Sequence, residues 1–179
     1  MPGKNLVDEV WEDRPKTPQE PVWVLEDKYA GQTVKEKYEK VAAKLDGADM
    51  VIVTTLDDVA WILNLRGNDI SFNPLFFSYV ILHNKTADAP YKVDLFISKS
   101  KVAAADVSTH LSSNDVTIHE YDQLLAKIKE YGTTLQSKKI AVDPDNLNFQ
   151  ICSALKDSGF EVKEKGNICE SLKAVKNKV

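Results

Sequence analysis

Short runs of β-branched and apolar residues alternate along this chain with longer segments in which apolar residues recur at helical spacing. The run MVIVTT at 50–55 is almost continuously apolar, as expected of a strand that is buried on both faces. It follows a segment, 33–47, whose larger apolar side chains share one face of a helix. Because elements that alternate in this way pack in layers, the pattern predicts an α/β domain.

The runs FFSYVIL and YKVDLFI, at 76–82 and 91–97, predict two strands joined by a polar loop. A connection of this kind makes the two strands antiparallel, so the sheet is expected to be mixed rather than purely parallel. Further elements of both kinds follow from the same patterns, namely strands at 116–121, 138–143 and 160–165 and helices at 55–65, 100–113, 122–132 and 146–159. The predicted fold is therefore α/β, with a layered mixed sheet of about five or six strands flanked by helices.

Charge and composition argue against two classes of partner. The formal net charge is −4, with acidic and basic residues mixed along the chain. This distribution offers no basic footprint for nucleic acid and no polybasic patch for a membrane. The longest apolar runs are far shorter than the roughly 20 residues that span a bilayer, and no signal peptide is recognisable. Two cysteines with 16 residues between them suit a reducing compartment, so a cytoplasmic location is expected.

Residues 1–31 differ from the rest of the chain because they hold four of its seven prolines. Proline fixes φ and removes a hydrogen-bond donor, so an extended arm is predicted here. Trp11 and Trp23 indicate that the arm packs against a surface, because such large apolar side chains normally find something to bury against. We interpret 1–31 as a proline-rich interdomain linker and 32–166 as the α/β domain.

The helix predicted at 33–47 has recognisable ends. Thr33 and Glu36 have the spacing of a capping box, and Gly47 is a typical stop. Lys37 lies in a stretch where lysines and glutamates interleave, which is typical of a solvated helix face.

No catalytic or metal-binding motif is recognisable in the sequence. The three histidines lack metal-binding spacing, and His119 is interpreted as a solvent-facing or satisfied core residue. Asp143 and Asp145 begin like a calcium loop, but no turn glycine or closing glutamate follows, so a capped strand-to-helix turn is predicted. Cys152 has no basic neighbour that would lower its pKa and is interpreted as a core residue. The sequence thus predicts no catalytic residue and no metal ligand.

A dense polar segment, 64–73, separates two apolar runs and allows two interpretations. In the structural one, Gly67 ends the helix at 55–65, Arg66 compensates the negative end of that helix, and the remaining residues form turns. In the functional one, Arg66 grips a carboxylate with two parallel hydrogen bonds. Residue composition favours the structural interpretation and leaves the functional one open.

Three stretches carry a resemblance to a known family. They are NLVDEVWEDRP, VIVTTLDDVAWILNLRGNDISFNPLFFSYVIL and SLKAVKN, and the most specific pattern is NLRG, then an acidic residue, then NPxFFSY. Together they resemble the middle region of eukaryotic cytosolic aminopeptidase P, the Xaa-Pro aminopeptidase family, and the resemblance extends over nearly the whole chain. It implies the fold of a creatinase/prolidase N-terminal domain.

The family resemblance also implies a larger parent protein. Its three-domain members have two related α/β N-terminal domains and a pita-bread catalytic domain, and they remove the residue before a proline in second position. The catalytic domain binds two divalent metals, usually manganese, through two Asp, one His and two Glu, and none of these ligands falls on a position here. The chain resembles only the second domain, with 167–179 as the start of the helix that leads into the absent catalytic domain. No cofactor is therefore expected in this chain, which alone should be inactive.

The same resemblance suggests a place for the polar segment. In related architectures the N-terminal domain leans over the catalytic mouth, so Arg66, with Asn64 and Asp69, is expected to border the substrate entrance or a domain interface. The implied partners are the parent's first N-terminal and catalytic domains, its peptide substrate and, as an option, a second copy in a homodimer. The alternative hypothesis is a self-standing α/β ligand-binding or protein-interaction module.

Overall fold

A computed structural model describes residues 6–85 and 91–176. The helices are α1 (Leu6–Val10), α2 (Asp27–Ala30), α3 (Val34–Ala42), α4 (Leu56–Ile62), α5 (Ala105–Ser113), α6 (Leu124–Thr134), α7 (Phe149–Asp157) and α8 (Ile168–Lys173), with 3₁₀ turns at Lys99–Val102 and Tyr121–Gln123. The strands are β1 (Trp23–Val24), β2 (Met50–Val53), β3 (Leu65–Arg66), β4 (Tyr79–His83), β5 (Lys92–Phe96), β6 (Val116–His119), β7 (Lys139–Val142) and β8 (Glu161–Glu164).

Six strands form one mixed sheet in the order β6-β5-β4-β2-β7-β8. The pairs β2–β4 and β4–β5 are antiparallel, whereas β2–β7, β7–β8 and β5–β6 are parallel. The antiparallel β4–β5 pair is the one predicted from the two adjacent apolar runs. The predicted α/β class with a layered mixed sheet is confirmed.

The sheet separates two apolar clusters, and β2 contributes to both. Val51 and Val53 pack with side chains from α3, α4, α5 and α8 on one face. Met50 and Ile52 pack with side chains from α6 and α7 on the other face. Because side chains of a strand alternate between its faces, burial of all four residues places β2 in the middle of the three-layer domain.

The end of the proline-rich arm pairs with the domain. β1 and β3 form a two-stranded antiparallel sheet in which Trp23 lies opposite Arg66, and Val22 is buried beside it. Two short helices, α1 and α2, interrupt the extended conformation predicted for the arm. Trp11 and Trp23 remain 46% and 39% exposed, so each keeps a large apolar surface in contact with solvent.

Two local predictions about the helices are corrected by the structure. Helix α4 ends at Ile62 rather than near Arg66, because Asn64 has a positive φ of 50° and the chain then enters β3. Lys37 is buried rather than solvated, although it lies on α3 as predicted and the capping box of Thr33 with Glu36 is present. In the part of the chain that the structure describes, no helix combines the length and apolarity needed to cross a bilayer.

Candidate functional site

Asn64 is fully buried and joins three segments of the chain. Its side-chain oxygen accepts a hydrogen bond from the Lys37 ammonium. Its side-chain nitrogen donates to Asp27 Oδ1 at 2.9 Å and to the backbone oxygen of Gln32 at 2.8 Å. Its own backbone oxygen accepts from the Leu25 amide at 2.8 Å. The side chain of Asn64 therefore holds the entry to α3 against the end of α4.

Lys37 brings a cation into the interior beside Asn64. Its ammonium donates to the Trp61 backbone oxygen at 2.7 Å and lies 4.8 Å from the centre of the Trp61 ring. Burial, followed by the nearby charge of Arg66, lowers the pKa of Lys37 from 10.5 to about 8. The carbonyls at the end of α4 attract the ammonium, which explains why this lysine points inward.

Asp69 is the second buried member of the polar segment. Its Oδ2 accepts from the Phe77 amide at 2.7 Å and from the buried ammonium of Lys101. The backbone closes the same loop, because the Gly67 amide donates to Pro74 at 3.1 Å and the Asp69 amide to Leu75 at 3.0 Å. Asp69 thus fixes the loop from inside.

Arg66 is the one of the three sequence-predicted residues that reaches solvent. Its Nη1 donates to the backbone oxygens of Ala60 at 2.9 Å and Leu65 at 2.8 Å. Among the described residues, no carboxylate forms an ion pair with it. Partial burial lowers the pKa of its guanidinium below the usual value, but arginine remains cationic at neutral pH. Arg66 is therefore a fixed positive charge without a negative partner in the described part of the chain.

Arg66 lines a cleft of about 380 Å³ between α2, α4 and α8, which we call the Arg66 cleft. Its lining is mixed, with polar surface that includes Gln32 and apolar side chains from Tyr29, Ala30, Ala60, Trp61, Leu75, Leu172 and Val175. Lys173, Lys176 and Asp57 also line it. Asp57 is already engaged, because its Oδ2 lies 2.5 Å from the Lys173 ammonium. The geometry brings Arg66 to a cleft, whereas it places Asn64 and Asp69 in the supporting interior.

A second, smaller pocket of about 20 Å³ lies at the carboxyl ends of β2 and β7. Its one buried carboxylate, Asp58, contacts Thr55, Asn167 at 2.7 Å and Lys173. A volume of this size holds little more than one water molecule. The pocket is therefore too small for a peptide or a cofactor.

A buried polar cluster around Asp94 on β5 was not predicted from the sequence. Asp94 accepts hydrogen bonds from His83 at 2.7 Å, His119 at 2.8 Å and the Tyr131 hydroxyl at 2.6 Å. Burial alone would raise the pKa of Asp94, but these hydrogen bonds outweigh it and hold the pKa well below the ordinary 3.8. His119 is 16% exposed and hydrogen-bonded to Asp94, so it lies between its two predicted positions, solvent-facing and satisfied core. The only signal in the sequence was an aspartate at an inward position of an apolar strand.

Within the described ranges, no group of three or more His, Cys, Asp or Glu side chains is arranged to hold a metal ion. The donor set of a di-nuclear centre is therefore not provided by these residues. Cys169 is buried, and burial raises the pKa of its thiol to about 12. Cys152 is half-buried beside the apolar cluster of α7 rather than fully inside it.

Comparison with known proteins finds one family model and several related proteins that match this chain. Residues 13–179 match the model of the Creatinase/Prolidase N-terminal domain family. The chain is 42% identical over 135 residues to a probable Xaa-Pro aminopeptidase P of Coprinopsis cinerea, covering 74% of this chain and 20% of that protein. It is 33% identical over 184 residues to Xaa-Pro aminopeptidase 1 of Dictyostelium discoideum, covering 98% of this chain and 27% of that protein.

A solved structure shows the same relationship. The X-prolyl aminopeptidase of Caenorhabditis elegans, a cytosolic enzyme with a di-nuclear active site, matches with a TM-score of 0.84 and 31% sequence identity. The match covers 98% of this chain but 28% of the Caenorhabditis enzyme. The chain thus spans between about a fifth and a third of the length of these relatives.

Proposed function

Because the chain belongs to the Creatinase/Prolidase N-terminal domain family, we propose that it is a non-catalytic domain of a larger metal-dependent Xaa-Pro aminopeptidase. The observation that carries this proposal is coverage, since relatives that match 97–98% of this chain are about four times as long. The parent enzyme would remove the N-terminal residue from peptides with proline in second position. The cytosolic Caenorhabditis relative supports a cytoplasmic location.

In this proposal the metal chemistry belongs to another domain of the parent. The di-nuclear site of the Caenorhabditis relative supports two divalent metals, which we expect to be manganese, in that catalytic domain. The described part of this chain offers no ligand group for them. The domain instead contributes active-site access, packing between domains and, as a further role, dimerisation.

The proposed organisation follows the boundaries predicted from the sequence. Residues 1–31 form the linker from the first N-terminal domain, 32–166 form the α/β domain, and 167–179 begin the connection to the catalytic domain. Pairing of β1 with β3 supports the first assignment, because it fixes the end of the linker on the domain surface.

We assign the substrate entrance or a domain interface to the Arg66 cleft. Arg66 supplies a fixed charge at the surface, while Asn64 and Asp69 hold the loop that carries it. Such positioning matters because a misplacement of about 1 Å in a binding group costs up to about 100-fold in rate. In this role Arg66 would act on substrate access or domain position and not on bond cleavage.

The test uses the full-length parent enzyme. Arg66→Ala should lower kcat/KM for a Xaa-Pro peptide about tenfold, with unchanged metal content and an intact fold. Arg14→Ala removes the same charge from the arm and should leave kcat/KM unchanged. Wild-type kinetics for Arg66→Ala would exclude the entrance role.

A separate measurement tests the non-catalytic assignment. The 179-residue chain should not hydrolyse an Ala-Pro dipeptide in the presence of Mn²⁺. Hydrolysis by the purified chain, lost when its own residues are substituted, would show that the catalytic site lies here after all.

A further inference from the structure

The hydrogen bonds of Arg66 leave a defined edge of its guanidinium free. A guanidinium has five N–H donors, of which two belong to Nη1. Ala60 and Leu65 accept from Nη1, and no acceptor for Nε or Nη2 is found in the described residues. The Nε and Nη2 edge is the fork that binds both oxygens of a carboxylate in parallel. Arg66 is thus oriented by the protein with its carboxylate-binding edge unused.

Positive charge near this edge of Arg66 is in excess over negative charge. Lys37 has no ion-pair partner in the described chain, and the nearby charge of Arg66 contributes to the lowered pKa of Lys37. Asp27 raises that pKa and so offsets the effect only in part. Asp57, the carboxylate that lines the cleft, is bound to Lys173. A carboxylate bound at Arg66 would stabilise both cations.

The walls of the cleft indicate which kind of group carries the bound carboxylate. Trp61, Leu75 and Leu172 form apolar walls within a volume of about 380 Å³, which accommodates a carboxylate on a short aliphatic stem. At the rim, Tyr29 is 65% and Val175 is 76% exposed, so apolar surface continues beyond the cleft. A partner that extends across this rim fits better than an isolated small acid.

We propose that the Arg66 cleft is a receptor for an acidic side chain, glutamate or aspartate, flanked by apolar residues in another protein segment. The choice of a protein segment rests on the proposed function, in which further domains of the parent lie beside this one. Chains about four times as long as this one supply such segments in its relatives. The binding chemistry itself depends only on residues of this chain.

A pair of capped peptides tests the proposal. The first carries one glutamate between leucines, and the second replaces that glutamate with glutamine, so the two differ in charge but hardly in shape. Each is titrated into the ¹⁵N-labelled 179-residue chain while the Trp61 indole and the Arg66 amide are followed by NMR. The glutamate peptide should bind about tenfold more tightly, because charge-assisted hydrogen bonds are roughly twice as strong as neutral ones. The preference should weaken at high salt.

Substitutions connect the preference to Arg66. Arg66→Gln should remove the difference between the peptides, and Arg66→Lys should retain only part of it because lysine lacks the planar fork. Arg14→Gln, the same change at the only other arginine, should bind like the unaltered chain. Amide spectra establish that each variant is folded. A merely structural role for Arg66 would alter stability but would not equalise the two peptides.

Three results would overturn the proposal. They are equal binding of both peptides, the absence of binding at millimolar concentrations, and an unchanged preference in a folded Arg66→Gln chain. Sodium 4-methylpentanoate, a small carboxylate on an aliphatic stem, is titrated for comparison. If it binds as tightly as the glutamate peptide, the ligand of the cleft is a free carboxylic acid and not a protein segment. Failure here is separable from failure of the proposed function, which is measured as kcat/KM in the parent.

Discussion

The Lys37 ammonium donates a hydrogen bond to the Asn64 side chain across 27 residues of sequence, and both groups are buried. The bond joins α3 to the turn after α4, where Asn64 has a φ of 50°. Asparagine tolerates this left-handed conformation better than most residues. The turn that directs Arg66 to the surface is therefore tied to α3 by this hydrogen bond.

Lys37 should make stability depend on alkaline pH. Burial lowers its pKa in the folded chain to about 8, whereas the unfolded chain keeps about 10.5. Between these values the unfolded state binds the proton and the folded state does not, so the free energy of unfolding rises with pH. We expect a rise on the order of 2 kcal/mol in urea denaturation from pH 8 to 10.5.

The variant Lys37→Met should lack this rise. It should also be less stable at pH 7, because the Asn64 and Trp61 oxygens lose their donor. Lys44→Met alters an exposed lysine just after the same helix and should keep the wild-type pH profile. If the free energy of unfolding of Lys37→Met rises by the same amount at alkaline pH, another group causes the rise.

Asp94 should dominate stability in acid. Its folded pKa lies below the ordinary 3.8, so it contributes stability above that pH, which is lost as the pH falls towards the folded pKa. Asp94→Asn should lower the free energy of unfolding at pH 7 by about 3 kcal/mol and flatten the acid limb of the profile. Thermal melts from pH 2 to 7 measure both effects. Asp145→Asn, at an exposed site, is the control, and equal acid limbs for the two variants would contradict the prediction.

Gly67 should be intolerant of even a methyl group. A Cβ built on it would lie 2.8 Å from the Cβ of Phe76, which is fully buried and cannot move aside. We expect Gly67→Ala to destabilise the chain by about 2 kcal/mol through overpacking. At Gly166, open space surrounds the same position, so Gly166→Ala should differ little from wild type in urea denaturation. Similar midpoints for both variants would mean that the Phe76 contact relaxes freely.

Phe72 should be replaceable with a gain in stability. It is fully exposed at the tip of the polar loop and has a φ of 66°, a conformation that is unfavourable for a phenylalanine. Phe72→Asn should raise the free energy of unfolding by about 0.5 kcal/mol, because asparagine tolerates that region. Phe149→Asn provides an exposed phenylalanine in ordinary helical conformation and should show no gain. Calorimetric melting of both variants measures the effect, and a gain for Phe149→Asn as large as that for Phe72→Asn would contradict the prediction.

The sheet and helix layers of the fold were predictable because the sequence pattern of each strand or helix lies within one short segment. The apolar run at β2 and the helical spacing of α3 each lie within one short segment, and the adjacent runs at β4 and β5 indicated an antiparallel pair. The pair β1–β3 was not predicted, since each strand has two residues and shows no alternation. Its pairing depends on contact between segments that are distant in sequence.

The polar interior was harder to predict for the same reason. Lys37 has the sequence context of a surface residue, and only the end of α4 folding over it makes burial favourable. His83, Asp94 and His119 lie on three strands, so their cluster exists only once the register is set. Arg66 was identified as a candidate by residue type, but its unpaired edge required the positions of two backbone carbonyls.

The strand order has a consequence for how the chain folds. β4 and β5 are neighbours in sequence, whereas β2 must find β7, as in the contact between Asp49 and Lys139, which are 90 residues apart. Closing so long a loop costs chain entropy before any contact rewards it. We expect the β4–β5 hairpin to form early and the β7–β8 pair to dock late. Pairing of β7 with β2 would then complete the sheet and be the slowest step of refolding.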